Sequence, residues 1–220
     1  MNFQYVKNNK LYKILLNFLY NNVDIILFFT LICMKVMSYA KNIASGYLTG
    51  LVIFPIVASV LVLVSFSLIL KKKSRITFLY IADVVVSLIL IADLMYYRYF
   101  KDITTVAAVR NAKLLQGVSA SVGSVVNIKD IYYLLDIFIL LPVIRFYKKR
   151  IHNIKPISKR LLNFLVMFIL GAGINAAVFY WVSKVQPTLL TAMSNRIYLT
   201  TMIGNINFHI VDSYNYISTN

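Results

Sequence analysis

Glutamate is missing from this 220-residue chain. Its acids are seven aspartates, Asp24, Asp83, Asp93, Asp102, Asp130, Asp136 and Asp212, against 23 lysines and arginines. Charged residues make up 14% of the chain, where a soluble domain carries about a quarter. A single cysteine, Cys33, excludes an intrachain disulfide and a cysteine metal site. Only His152 and His209 are available for a histidine-based centre. Seven glycines and four prolines are too few for a collagen-like or low-complexity sequence. The GxSxG elbow, the P-loop and the HExxH pair are also absent, so no hydrolytic or group-transfer site is visible.

What remains is apolar. Sixty per cent of the residues are hydrophobic and the mean hydropathy is +0.76. A soluble chain of this length cannot bury so much apolar surface, so an all-α, polytopic membrane protein is expected. Five segments are long enough to cross a bilayer: Leu15 to Tyr39, Leu51 to Leu70, Ile76 to Tyr97, Ile128 to Tyr147 and Leu161 to Ser183. The first also has leader-like features: Lys7, Lys10 and Lys13, an apolar run from Ile25 to Met34, and Ser38-Tyr39-Ala40. Against a leader, the run starts early and Lys35 interrupts the approach to the cleavage site.

The sequence pI of about 9.9 suggests anionic partners. The basic residues flank apolar runs, however, which is a membrane-topology pattern and not a nucleic-acid surface. Fourteen of them lie before the first segment, between the second and third, and between the fourth and fifth. Positive-inside then places the N-terminus in the cytoplasm and the C-terminus outside the cell membrane. The expected organisation is a five-helix domain over residues 1–185 and an extracellular juxtamembrane segment over residues 186–220. In the outer loop a short helix is expected between Asp102 and Gln116, capped by Asp102 and presenting Ile103, Val106, Val109 and Lys113. Gly117, Gly123, Ser119, Ser121 and Ser124 would make a flexible stretch after it. The tail also carries short interfacial structure. Pro55 and Pro142 are expected to kink their helices. Gly171, Ala172, Gly173, Ala176 and Ala177 read as a small-residue packing face.

The intramembrane acids are the informative residues. A centrally placed Asp costs roughly 2.5–3.5 kcal/mol to insert, so each needs a partner, a proton or water. Asp83 and Asp93 are about 80° apart around a helix and about 15 Å apart along it, too far for a paired-carboxylate mechanism. Asp93, Asp136 and Arg98 either line a polar cavity open to the outer leaflet or form structural contacts between spans three and four. Arg98 and Lys101, set among Tyr96, Tyr97, Tyr99 and Phe100, either anchor the helix at the interface or donate to a lipid phosphate. Asp24 is expected to pair with Lys13 or reach the interface. The Lys71 to Arg75 run reads as a topology signal and nothing more.

These residues resemble a known family. Tyr96-Tyr97-Arg98-Tyr99-Phe100-Lys101-Asp102 closes a third span. Gly117-Val118-Ser119-Ala120-Ser121 follows, then Asp130-Ile131-Tyr132-Tyr133-Leu134-Leu135-Asp136. Tyr198-Leu199, Gly204, Asn207-Phe208 and Asp212 in the tail, and Lys35 late in span one, add to the pattern. Together they resemble the membrane domain of lipoteichoic acid synthases, the phosphoglycerol transferases of Gram-positive bacteria. The likeness runs from about Phe28 to Tyr216 and is strongest over 91–143 and 195–214.

The resemblance implies five helices followed by an extracellular alkaline-phosphatase- or sulfatase-like domain with manganese and a threonine nucleophile. The sequence stops at Asn220, where that domain would begin, and nothing here matches the nucleophile or a metal ligand. The expectation is therefore a truncated or split form with no enzyme activity and no cofactor of its own. Its work would be to anchor a transferase and orient lipid, either phosphatidylglycerol or a glycolipid anchor, with a phosphatase-like catalytic domain as partner. Two alternatives stay open: an accessory protein that assembles or regulates a separate envelope-polymer synthase, and a small ion-coupled transporter using Asp83, Asp93 and Asp136.

Overall fold

The computed structural model describes residues 10–43, 50–111, 125–149 and 156–219. All regular structure among them is helical. That is the form in which a chain in lipid satisfies its backbone polar groups within one segment. Helix α1 spans Lys10–Ile43. Helix α2 spans Gly50–Ser65 and runs on as a 3-10 turn over Phe66–Ile69. Helix α3 spans Lys72–Phe100, and the short α4 spans Val106–Arg110. A 3-10 turn over Ile128–Ile131 leads into α5, Tyr132–Lys149. Helix α6 spans Ile157–Val185, and the tail forms α7, Leu189–Ala192, α8, Arg196–Ile203, and α9, Asn205–Thr219.

Among the described residues, four stretches are long and apolar enough to cross a membrane: Asn21–Ile43, Val52–Ile69, Lys72–Phe100 and Ile157–Val185. The expected fourth crossing does form a helix, α5, but its 18 residues include Asp136, Arg145, Lys148 and Lys149 and it is not among those four.

The helices pack in the spatial order α5, α3, α1, α2, α6, so the first helix lies at the centre. Phe28, Ile32, Val36 and Tyr39 of α1 form the middle of the core, with Ile56 and Val60 from α2 and Leu79 and Leu90 from α3. Helix α6 is the outermost. Leu161, Leu162, Leu165, Val166 and Ile169 are exposed along it, as suits a lipid-facing surface.

Gly171 sets the close approach of α6 to α2. A Cβ at that position would stand 3.0 Å from the Ala58 carbonyl oxygen and 3.0 Å from Val62 Cγ2. The small-residue face is narrower than expected. Gly173 meets open space, and Ala176 and Ala177 are exposed. Residues two apart on a helix are about 200° apart, so Gly171 and Gly173 cannot share a face. The packing line continues instead through Asn175, Val178 and Val182.

One other local expectation is corrected, and one break in a helix adds to those expected. Pro55 and Pro142 sit inside α2 and α5, and the backbone of α1 turns non-helical at Asn22 (φ −124°, ψ 16°). There the Asn21 carbonyl accepts a 3.2 Å hydrogen bond from Arg75 Nη2, a side-chain donor standing in at a break in the ladder. The cap of α4 is Thr105, whose hydroxyl accepts from the Ala108 N–H at 3.1 Å. Asp102 instead accepts from the Ile103 N–H and pairs with Arg196. The expected continuation of that helix, with Lys113, and the Gly117 to Ser124 stretch lie outside the described residues.

The tail folds back over one end of the bundle, with α8 and α9 both resting on α2. Gly204 makes the turn between them at φ +81°, a conformation that disfavours a side chain.

Candidate functional site

Helices α1 and α3 run parallel and are joined by three polar contacts. The first is at the end where both helices begin. Arg75 donates to Asp24 through Nε at 2.8 Å and Nη2 at 2.6 Å. Both side chains are buried, at 7% and 5% exposure. Asp24 therefore takes its partner from α3, and Arg75, the last residue of the basic run, is also a core residue. A planar guanidinium matches a carboxylate in this two-pronged way, which a lysine cannot.

The second contact is centred on Lys35. Its ammonium donates to Asp83 Oδ1 and to Ser87 Oγ, each at 2.8 Å. Asp136 Oδ2 of α5 lies 2.7 Å away as an ion pair without good hydrogen-bond geometry. Ser87 in turn donates to the Asp83 carbonyl. One lysine thus joins α1, α3 and α5.

The third contact surrounds Asp93, which is fully buried. Its Oδ2 accepts from the Tyr39 hydroxyl at 3.2 Å and the Asn205 amide at 2.7 Å, and lies 2.8 Å from His209 Nε2. Asn205 and His209 are one turn apart on α9, so this cluster fastens the tail to α3. Further contacts hold the tail: Asn207 donates to Asn175, and Asp212 accepts from the Val106 N–H at 2.7 Å.

Arg98 closes the same end. It donates through Nη1 and Nη2 to the two oxygens of Asp130 at 2.6 Å, and through Nη1 to the Val125 carbonyl at 2.8 Å. Asp130 also accepts from the Asn127 N–H, completing a capping box in the turn before α5. The Arg98 guanidinium holds the Asp130 carboxyl below the usual carboxylate range.

Beside this pair is a cavity of about 450 Å³, lined on one side by Ser38 and Asn42 and on the other by Arg98, Lys129, Asp130 and Tyr133. The Tyr133 hydroxyl accepts from Asn42 at 3.3 Å. Lys129 is exposed, and among the described residues no carboxylate pairs with it.

The four sequence-level candidates are thus dispersed. Arg98 lines this cavity. Asp93 lines a second one on the other side of α3. Asp136 sits with Lys35. Lys101 caps α3 in the left-handed region (φ 55°), with its ammonium 5.6 Å from the centroid of the Tyr97 ring.

Each of the seven aspartates has a partner in the fold, so the acids act first as locks between segments. Among the described residues no group of three histidine, cysteine or acidic side chains could hold a metal. Sequence reasoning missed Tyr39, Asn205 and His209. A usable signal was present: Asn205 and His209 share a face with Asp212 one turn further on.

Comparison with known proteins adds the family. The model of the lipoteichoic acid synthase N-terminal domain matches residues 1–220. Lipoteichoic acid synthase 2 of Bacillus subtilis (strain 168) is 30% identical over 164 residues, which cover 74% of this chain and 24% of the relative. Lipoteichoic acid synthase 1 of the same organism is 25% identical over 162 residues, 74% of this chain and 25% of the relative. The lipoteichoic acid synthase of Staphylococcus saprophyticus is 26% identical over 160 residues, 71% and 24% respectively. The matched region spans about a quarter of the length of these relatives. No solved structure matches the chain. With its helical bundle and a match over its whole length, the chain belongs to the lipoteichoic acid synthase N-terminal domain family.

Proposed function

We propose that this chain is the membrane anchor of a lipoteichoic-acid-synthase-like phosphoglycerol transferase and presents an anionic lipid head group to it. The lipid is phosphatidylglycerol or the glycolipid anchor, and the catalytic partner is a phosphatase-like domain that carries the manganese. The observation that carries the reading is the 450 Å³ cavity, where Lys129 supplies positive charge beside the Arg98–Asp130 pair and Asn42 and Tyr133 supply polar groups. Five crossings, α1, α2, α3, α5 and α6, put this cavity and the tail outside the cell. In support, Arg75, Lys148 and Arg160 gather at the opposite end, where they contact Asp24, Thr77 and the Ile69 carbonyl. The engagement of both Asp83 and Asp136 by Lys35 favours an anchor over an ion path.

The test is lipid retention by the purified chain in nanodiscs of mixed phosphatidylglycerol and phosphatidylcholine. Lys129→Gln and Arg98→Gln should each lower the preference for phosphatidylglycerol by about tenfold, the value of one charged hydrogen bond. No change in either variant would remove the cavity from the function. A C-terminal tag protected on the cytoplasmic side would refute the orientation.

A further inference from the structure

Helix α9 is inverted relative to a helix that lies in water. Between Asn205 and Thr219 there is no lysine, arginine or glutamate. Asn205, Asn207 and Asp212 are buried against the bundle, and His209 is half-buried beside Asp93. The large exposed side chains are instead Ile210 at 59%, Tyr214 at 71% and Ile217 at 76%. At about 100° per residue these three fall within about 60° of one another, opposite Asn205, Phe208 and Asp212. A surface helix of a soluble protein turns its apolar stripe inward and its polar residues out. The exposed polar residues of α9 are its last two, Ser218 and Thr219.

The level at which α9 is fastened says what covers the stripe. Asp93, the partner of Asn205 and His209, lies seven residues before the end of α3, about 10 Å along the helix at about 1.5 Å per residue. Asn175, which accepts from Asn207, lies ten residues before the end of α6, about 15 Å by the same rise. A Cβ on Gly204, at the entry to α9, would stand 3.5 Å from Ile56, the sixth residue after the start of α2. Exposed aromatics mark the interface at this end, Tyr99 and Phe100 on α3 and Tyr180 and Trp181 on α6. Asp93 and Asn175 both lie on the hydrocarbon side of them. Ile89 of α3, itself exposed, shares an apolar groove with His209 and Tyr216, so the lipid-facing surface of α3 runs on to the tail.

We propose that α9 is embedded in the bilayer leaflet at this end, with Ile210, Tyr214 and Ile217 against lipid acyl chains. Its polar side chains are satisfied inward, by Asp93, Asn175 and the Val106 N–H. The tail is thereby placed in the leaflet and not in the water beyond it, and the chain leaves α9 at the head-group layer. The inference rests on membrane insertion of the bundle, holds whichever way the bundle faces, and needs neither the first cavity nor a charged head group.

The test is the depth of nitroxide spin labels on the full chain in phosphatidylcholine vesicles, in a Cys33→Ala background. Labels are placed one at a time by Ile210→Cys, Tyr214→Cys and Ile217→Cys, exposed positions at which a change leaves the packing intact. Leu165→Cys on the outer face of α6 is the lipid reference, and Lys184→Cys in its last turn is the aqueous one. Collision with oxygen reports lipid, and collision with a water-soluble nickel chelate reports water. The three α9 labels should admit oxygen and exclude nickel as Leu165→Cys does, at about 5–10 Å beneath the head groups. Nickel access equal to that at Lys184→Cys would put α9 in water and overturn the proposal. Exclusion of both reagents would also overturn it, since protein, from a second copy or from elsewhere in the chain, would then cover the stripe. Nickel access at Leu165→Cys as well would overturn it through the insertion of the bundle. The lipid preference of the first cavity does not enter these readings, so either proposal can fail alone.

Discussion

Lys35→Met is the most exacting test of how the bundle is held. Methionine fills much of the same volume and suits an apolar helix, so the change removes a charge more than it removes packing. It leaves Asp83, with no exposure, and Asp136, at 15% side-chain exposure, without their cation. Removing one partner of a buried ion pair costs about 3–5 kcal/mol, because the remaining charge stays desolvated. For a chain of this size each kcal/mol moves the melting temperature by about 2–4 °C, giving an expected drop of about 6–20 °C. Cys33 supplies the readout: it is the single cysteine, it is buried, and it stands two residues from Lys35. A thiol-reactive fluorophore therefore reports opening of the bundle as the detergent-solubilised protein is heated. The neutral triple variant Lys35→Met, Asp83→Asn, Asp136→Asn should recover most of the loss, since no buried charge remains. A single variant melting within about 2 °C of the parent, or a triple variant no better than the single, would refute the reasoning.

Three other expectations follow from the same geometry. Arg75→Gln should lower stability by about 3–5 kcal/mol by stranding Asp24, and Asp24→Asn in the same chain should restore part of it in a double-mutant cycle. Gly171→Val should loosen α6 from α2 at a cost of about 1–3 kcal/mol, while Gly173→Val, facing open space, should be close to neutral in the same melting assay. Asp130 has a lowered folded-state pKa, so its pairing with Arg98 stabilises above the unfolded carboxylate value of about 4 and is lost as pH falls through the folded value. The melting difference between the parent and Asp130→Asn should accordingly be flat from pH 5 to 8 and shrink below about pH 4.

The long helices were legible because a hydrophobic run of sufficient length in lipid has one economical backbone form. Their ends were not: α3 starts at Lys72 and continues to Phe100, several residues beyond the apolar run at each side, because polar residues extend a helix into the interface without penalty. The ion pairs were hidden for a different reason. Asp24 has Lys13 nearby in sequence, but its partner is 51 residues away and is decided by how α1 and α3 align. The candidate residues Asp93 and Arg98 are five residues apart in the sequence yet line separate cavities, a distinction that exists only once α3 has neighbours on both sides. The small-residue face of α6 was misjudged where simple angular arithmetic would have separated Gly171 from Gly173.

The central place of α1 has a consequence for biogenesis. It leaves the ribosome ahead of α3 and α5, and it carries a lysine whose carboxylates arrive with those helices, the nearer one 48 residues downstream. Until then Lys35 must be sheltered by the insertion machinery or by water. Release of α1 into lipid is thereby tied to the synthesis of α3, which makes a half-built bundle visible to quality control as a stranded cation.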